Sequence, residues 1–147
     1  MTKEVLISIS GLQFSSDSED AVEMITVGNY YFKNKKHYVI YDEVMEGFSG
    51  VTKNTIKFSD NTVDIIKDGV SNVHMTFELH QKNLTYYDTP FGNILIGINT
   101  NKIKVSEIED KIQLDIDYAL DINYDFVADC KIKIIITTKD KANIKLQ

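Results

Sequence analysis

Strict two-residue alternation is the feature that most narrows what this chain can become. Over 112–121 the even positions are Ile112, Leu114, Ile116, Tyr118 and Leu120, while the odd positions are Gln113, Asp115, Asp117, Ala119 and Asp121. Successive strand side chains point to opposite faces, so this pattern predicts a strand with one buried and one wet face. No window carries a convincing stripe at helical spacing. Read along its whole length, the chain predicts ten strands, at about 3–12, 22–33, 36–45, 51–58, 62–67, 71–79, 83–88, 92–105, 112–121 and 130–138.

The connections are short and carry turn chemistry. Asp60-Asn61 and Asp68-Gly69 suit tight hairpins, and Thr89-Pro90-Phe91-Gly92 places the lone proline where its missing N–H does no harm. Segment 13–21 is the longest polar connection and is expected to be a mobile loop. Linkers, repeats and composition breaks are missing, so 1–147 reads as one domain. Hairpin-linked strands form a meander, which must close or protect its edges; closure removes them altogether. The expectation is an all-β antiparallel meander closed into a small barrel of about 8–10 strands, with a sandwich as the alternative.

Composition excludes several function classes. Apolar residues make up 43% of the 147, enough for a core. The longest apolar runs, such as Ile134-Ile135-Ile136, are too short to cross a bilayer, and the N-terminus lacks a signal-peptide pattern. A cytoplasmic protein without membrane association is expected. Every basic residue is Lys and the net charge is −6, which repels phosphate and removes the guanidinium fork, so nucleic-acid binding is not expected. Cys130 is the single cysteine; it shares parity with Ile132, Ile134 and Ile136, so a buried, inert thiol is expected.

No motif for a metal or cofactor survives inspection. Asp121-Ile122-Asn123-Tyr124-Asp125 imitates the start of an EF-hand loop, yet position six is Phe126 and position twelve is Ile132. His74 and His80 would lie about 20 Å apart along one strand, and His37 has no partner, so surface histidines are expected. Gly47-Phe48-Ser49-Gly50 lacks a Walker lysine and a following helix, which leaves a hairpin loop.

Register can be inferred by asking which pairing sets apolar residues opposite one another. A connection at 46–50 pairs Ile40 with Ile56 and Tyr38 with Phe58. The Asp60-Asn61 turn then pairs Phe58 with Val63 and Ile56 with Ile65; beyond it, Ile65 meets Val73 and Val63 meets Met75. Finally Leu79 meets Leu84, and Phe77 meets Tyr86. This register also lines up Asp42, Asn54 and Lys67 on the inward face, as a polar anchor or as a rim whose lysine snorkels into water. The candidate ligand-binding set is therefore Tyr38, Ile40, Asp42, Asn54, Ile56, Lys67, Met75, Phe77 and Tyr86. Glu43 and Lys53 become cross-strand partners on the opposite, outward face beside Tyr41.

Several short stretches in order resemble the YwiB-like bacterial proteins. They are Tyr30-Tyr31, Tyr38-Val39-Ile40-Tyr41-Asp42-Glu43, Gly50-Val51-Thr52-Lys53-Asn54-Thr55-Ile56-Lys57, Met75-Thr76-Phe77, Leu84 through Gly92, and Leu114-Asp115-Ile116-Asp117-Tyr118. The resemblance spans nearly the whole chain, and Thr-Pro-aromatic-Gly is its most specific element. It implies a calycin-type, lipocalin-like barrel of unknown function and brings no catalytic residues. Two departures stand out: Lys67 where the family often has Arg, and His80 at a turn position that is often Gly.

Three functional readings follow, in order. First is a non-enzymatic barrel holding a small, partly apolar ligand, with no cofactor. Second is an interaction or assembly module with a side-chain-filled barrel. Third is an enzyme using Tyr41, Glu43 and Lys53, should the faces be reversed by a one-residue bulge. Ligand identity and oligomeric state are not legible at this level.

Overall fold

In the computed structural model, residues 3–11, 23–44, 50–69, 72–89 and 92–138 are described; the 13–21 segment, Pro90 and Phe91 lie outside them. Every regular element among the described residues is a strand: β1 (Lys3–Ser10), β2 (Glu23–Lys33), β3 (Lys36–Val44), β4 (Val51–Phe58) and β5 (Thr62–Asp68), then β6 (Val73–Glu78), β7 (Lys82–Thr89), β8 (Gly92–Ile108), β9 (Lys111–Ile122) and β10 (Asp125–Thr138). All ten expected strands are present. The alternating segment forms β9, with Leu114, Ile116, Tyr118 and Leu120 buried and the intervening residues partly wet.

The sheet order β6-β5-β4-β3-β2-β1-β10-β9-β8-β7 is a meander whose first and last strands pair. Ile7 lies opposite Ile136 and Ile9 opposite Ile134, which joins the two ends of the chain through apolar pairs. A nearly closed antiparallel barrel results, and its seam falls between β6 and β7. No ladder joins these two strands among the described residues. Side chains cross the seam instead: Thr85 Oγ1 donates to the His74 carbonyl at 2.9 Å, and Asn83 Nδ2 donates to Glu78 Oε1 at 2.8 Å.

The interior is packed. Phe58, Val63, Ile65, Phe77, Ile98, Leu114 and Ile116 are fully buried, and Phe77 meets Tyr118 edge-on at 5.1 Å. Burying each such side chain contributes roughly 1.5–3 kcal/mol. The expected apolar lining at Ile56, Met75 and Phe77 is inside, but it makes a core and not an open chamber.

Two β-bulges bend the long strands and reverse their parity. On β8 the register shifts between Thr100 and Lys102, so the inward set changes from Ile96, Ile98 and Thr100 to Ile103, Val105 and Glu107. On β10 the shift between Phe126 and Ala128 puts Phe126 outside and Ala128 inside. The EF-hand mimic is the β9–β10 hairpin tip, where Asn123 and Tyr124 both take positive φ and Asn123 is clipped to the Leu95 backbone by bonds of 2.8 and 3.1 Å.

Register corrects several expectations. The β4–β5 hairpin pairs as expected, with Ile56 opposite Ile65 and Asn54 opposite Lys67. In β5–β6 the pairing slides by two residues, to Ile65–Met75 and Val63–Phe77, and therefore keeps its faces. In β3–β4 it slides by one. Val44 pairs with Val51, so the connection is 45–50 rather than 46–50, and Val39, not Ile40, faces Ile56. A one-residue slip turns every side chain over. Tyr38, Ile40 and Asp42 consequently sit on the outer face, where Tyr38 stacks on Tyr31 at 4.8 Å. Leu84 and Tyr86 also point outward, because the tight turn at 79–81 is not followed by a ladder; Tyr86 is 68% exposed. At that turn His80 has a φ of +62, the left-handed conformation that glycine adopts most readily.

Candidate functional site

With the middle of the barrel filled, polar chemistry collects at its two mouths. The first is built by the end of β3, the start of β4 and the end of β5. Glu43 Oε1 accepts from Lys67 Nζ at 3.2 Å and from Asn54 Nδ2 at 3.3 Å, and Asn54 Nδ2 also donates to the Thr52 carbonyl at 3.3 Å. Asn54 is completely buried, and its Oδ1 has no hydrogen-bond partner among the described residues. A buried acceptor left unmade costs about 1–3 kcal/mol, so its retention calls for a reason. Lys67 and Glu43 keep side-chain exposures of 24% and 31%, which leaves the pair open to solvent and to a ligand. Tyr41 lies beneath, with burial and then the Glu43 carboxylate raising its phenol well above the ordinary range.

Of the nine residues expected at a ligand site, the structure brings Asn54 and Lys67 together above Ile56, Met75 and Phe77. Tyr38, Ile40, Asp42 and Tyr86 are not there. Glu43 takes the place expected of Asp42, as the register correction requires. The same slip breaks up the expected Glu43–Lys53 pair: Lys53 stands opposite Asp42 on the exposed face, while Tyr41 and Glu43 turn inward. The Tyr41, Glu43 and Lys53 constellation is thus not assembled.

The opposite mouth was not anticipated from the sequence. His37, expected on the surface, is 9% exposed and lies flat on Phe58 with ring centroids 4.7 Å apart. Its Nδ1 is 2.8 Å from Tyr30 Oη, and its Nε2 is 3.8 Å from Glu107 Oε1, reached from the far wall of the barrel. Burial lowers the imidazole pKa, with Glu107 and Asp60 pulling the other way; burial and Glu107 raise that of Tyr30. His74 and His80 do lie on the exposed surface, and His74 Nε2 is 2.9 Å from Asp64 Oδ1. Cys130 packs half-buried against the core beside Tyr118; burial raises its thiol pKa, in keeping with an unreactive sulfur.

Comparison with known proteins agrees with this architecture. A family model described as a domain of unknown function, DUF1934, matches residues 7–134. The chain belongs to the DUF1934 family. Among relatives of this DUF1934 chain is the uncharacterized beta-barrel protein YwiB of Bacillus subtilis, 26% identical over 105 residues that cover 71% of this chain and 72% of YwiB. The crystal structure of the ywiB protein from Bacillus subtilis superposes with a TM-score of 0.72, covering 93% of this chain and 92% of that one at 19% identity. That likeness carries the fold. The resemblance read from the short motifs is thereby established, and the DUF1934 barrel is the frame on which both mouths are displayed.

Proposed function

We propose that this chain is a non-enzymatic barrel that binds a small, partly apolar molecule by its polar end at the Glu43–Asn54–Lys67 mouth. The buried, unpartnered Oδ1 of Asn54 carries the reading. It is held in place by two donated bonds from its own Nδ2, so it accepts from a hydroxyl or amine that enters the mouth. The adjoining Lys67–Glu43 pair offers such a molecule both a donor and an acceptor. The packed interior limits the apolar part of the ligand to the mouth itself.

Native mass spectrometry of gently purified protein tests this reading, comparing wild type with Lys67→Ala and Asn54→Leu. A retained small molecule on wild type that is lost from both variants, while both melt cooperatively, is the expected result. Protein that carries nothing, or variants that keep the adduct, would overturn it.

The filled core also favours a second reading, an interaction module acting through the outer surface. Leu84, Gly97, Asp121 and Phe126 form one cross-strand row there, with Leu84, Tyr86 and Phe126 more than half exposed. Scattered apolar residues on a surface are ordinary, so this reading ranks second. Sedimentation of wild type and Tyr86→Lys at several concentrations separates the two.

A further inference from the structure

Of the two donors that fit the free Asn54 oxygen, a hydroxyl and an amine, the surrounding charge admits one. Tyr41, Asn54, Lys67 and Val73 are successive cross-strand neighbours over β3 to β6 and turn to the same face. Tyr41 and Val73 are 3% and 7% exposed and Asn54 is fully buried, so two polar groups sit between apolar shoulders. The turn after β5 is pressed onto the start of β4. A Cβ at Gly69, whose φ is +148, would lie 2.5 Å from the Val51 carbonyl oxygen and 2.8 Å from the Thr52 Cα. That close approach, with the Gly69 amide donating to Asn72 Oδ1 at 3.1 Å, fixes the strand end that carries Lys67.

The orientation of the Asn54 amide is determined by its neighbours. Its Nδ2 faces two oxygens, Glu43 Oε1 and the Thr52 carbonyl, each at 3.3 Å. Turning the group over would set Oδ1 against both of them, so Oδ1 is the atom left to accept. Lys67 Nζ gives one of its protons to Glu43 at 3.2 Å, and ammonium and carboxylate cancel. An entering ammonium adds a positive charge beside Lys67; an entering carboxylate sets oxygens against Glu43 and Asn54 Oδ1. Either leaves an uncompensated charge next to a fully buried side chain, which is the costly case. A hydroxyl is neutral, and one oxygen both donates and accepts. It meets both needs.

We propose, on the reading of this mouth as a binding site, that its ligand is an uncharged alcohol. The hydroxyl donates to Asn54 Oδ1 and accepts from Lys67 Nζ, and a compact apolar body rests on the side chains flanking them.

Cyclohexanol is the probe, titrated into the full chain and followed by two-dimensional NMR of backbone and side-chain amides. Cyclohexylamine, cyclohexanecarboxylate and methoxycyclohexane keep the ring and change the polar end; the last accepts but cannot donate. The expected result is saturable shifts with cyclohexanol at Tyr41, Glu43, Lys67, Val73 and the Asn54 side-chain amide. The ether should bind about tenfold more weakly, and both ions more weakly still. This comparison is made on wild type and so needs no variant that folds. Either ion or the ether binding as tightly as cyclohexanol at those residues would overturn the alcohol and leave the mouth a binding site. Absent or unsaturable shifts with cyclohexanol would overturn it too; the mouth reading is then decided separately, by the retained adduct in native mass spectrometry.

Discussion

The two mouths of this barrel solve the same problem in opposite ways. Each places polar side chains where strands end and the apolar core stops. At the first, a lysine and a carboxylate neutralise one another at 3.2 Å, and the unmet need is a buried amide oxygen. At the second, the amide's place is taken by an imidazole hydrogen-bonded to Tyr30 at 2.8 Å, with the Glu107 carboxylate 3.8 Å from its other nitrogen. One barrel thus presents two chemically distinct ends on either side of a packed apolar core.

That contrast depends first on the core being solid. Ile116 is fully buried in the middle of β9, so Ile116→Asp strands an unpaired charge and is expected to abolish folding, costing more than about 4 kcal/mol. A cooperative melt near that of wild type would mean that water reaches the interior and the mouths communicate. Next in size is Phe58→Ala. It should destabilise by about 3–5 kcal/mol and, by uncovering the face of His37, move that imidazole back toward its ordinary value near 6.5. Chemical denaturation and NMR titration read the two effects on one variant.

A third measurement probes the second mouth alone. Because burial depresses the His37 pKa, the unfolded chain binds a proton there at pH values where the folded chain does not. Stability therefore falls as pH drops from about 6.5 toward the lowered folded value and levels off below it, with a slope of at most about 1.4 kcal/mol per pH unit. Tyr30, Glu107 and Asp60 also act on this ring, so the readout is the difference between wild type and His37→Gln. Parallel stability curves for the two proteins would show that His37 does not carry the effect. The smallest change is expected at the first mouth. Lys67→Ala removes a partly exposed ion pair and should cost less than about 1 kcal/mol, with the difference shrinking in about 1 M salt. A larger, salt-insensitive loss would mean that the pair is a structural element and not an open one.

Much of this fold is legible in the residues because a two-residue period survives averaging over a strand. All ten strands, the β4–β5 register and the Asn54–Lys67 pairing follow from alternation and turn chemistry. The left-handed turn at His80 agrees with a position where the resemblance implies glycine. The polar anchor was half readable: two of its three members were found, and the third was placed one residue away.

What alternation cannot carry is parity across an irregularity. Moving the β3–β4 connection from 46–50 to 45–50 exchanges Asp42 for Glu43 at the first mouth. A single extra residue in β8 turns Glu107 inward to meet His37 at the second. Tyr38 and Ile40 are as apolar as Val39 and Tyr41, so local hydrophobicity is indifferent to which pair goes inside; only closure of the whole sheet around a fixed core volume decides. The sequence by itself therefore determined that this chain is an alternating, all-strand barrel. Which functional side chains look into its ends was decided by tertiary packing, because one residue of slip costs a strand little locally and reverses every side chain on it.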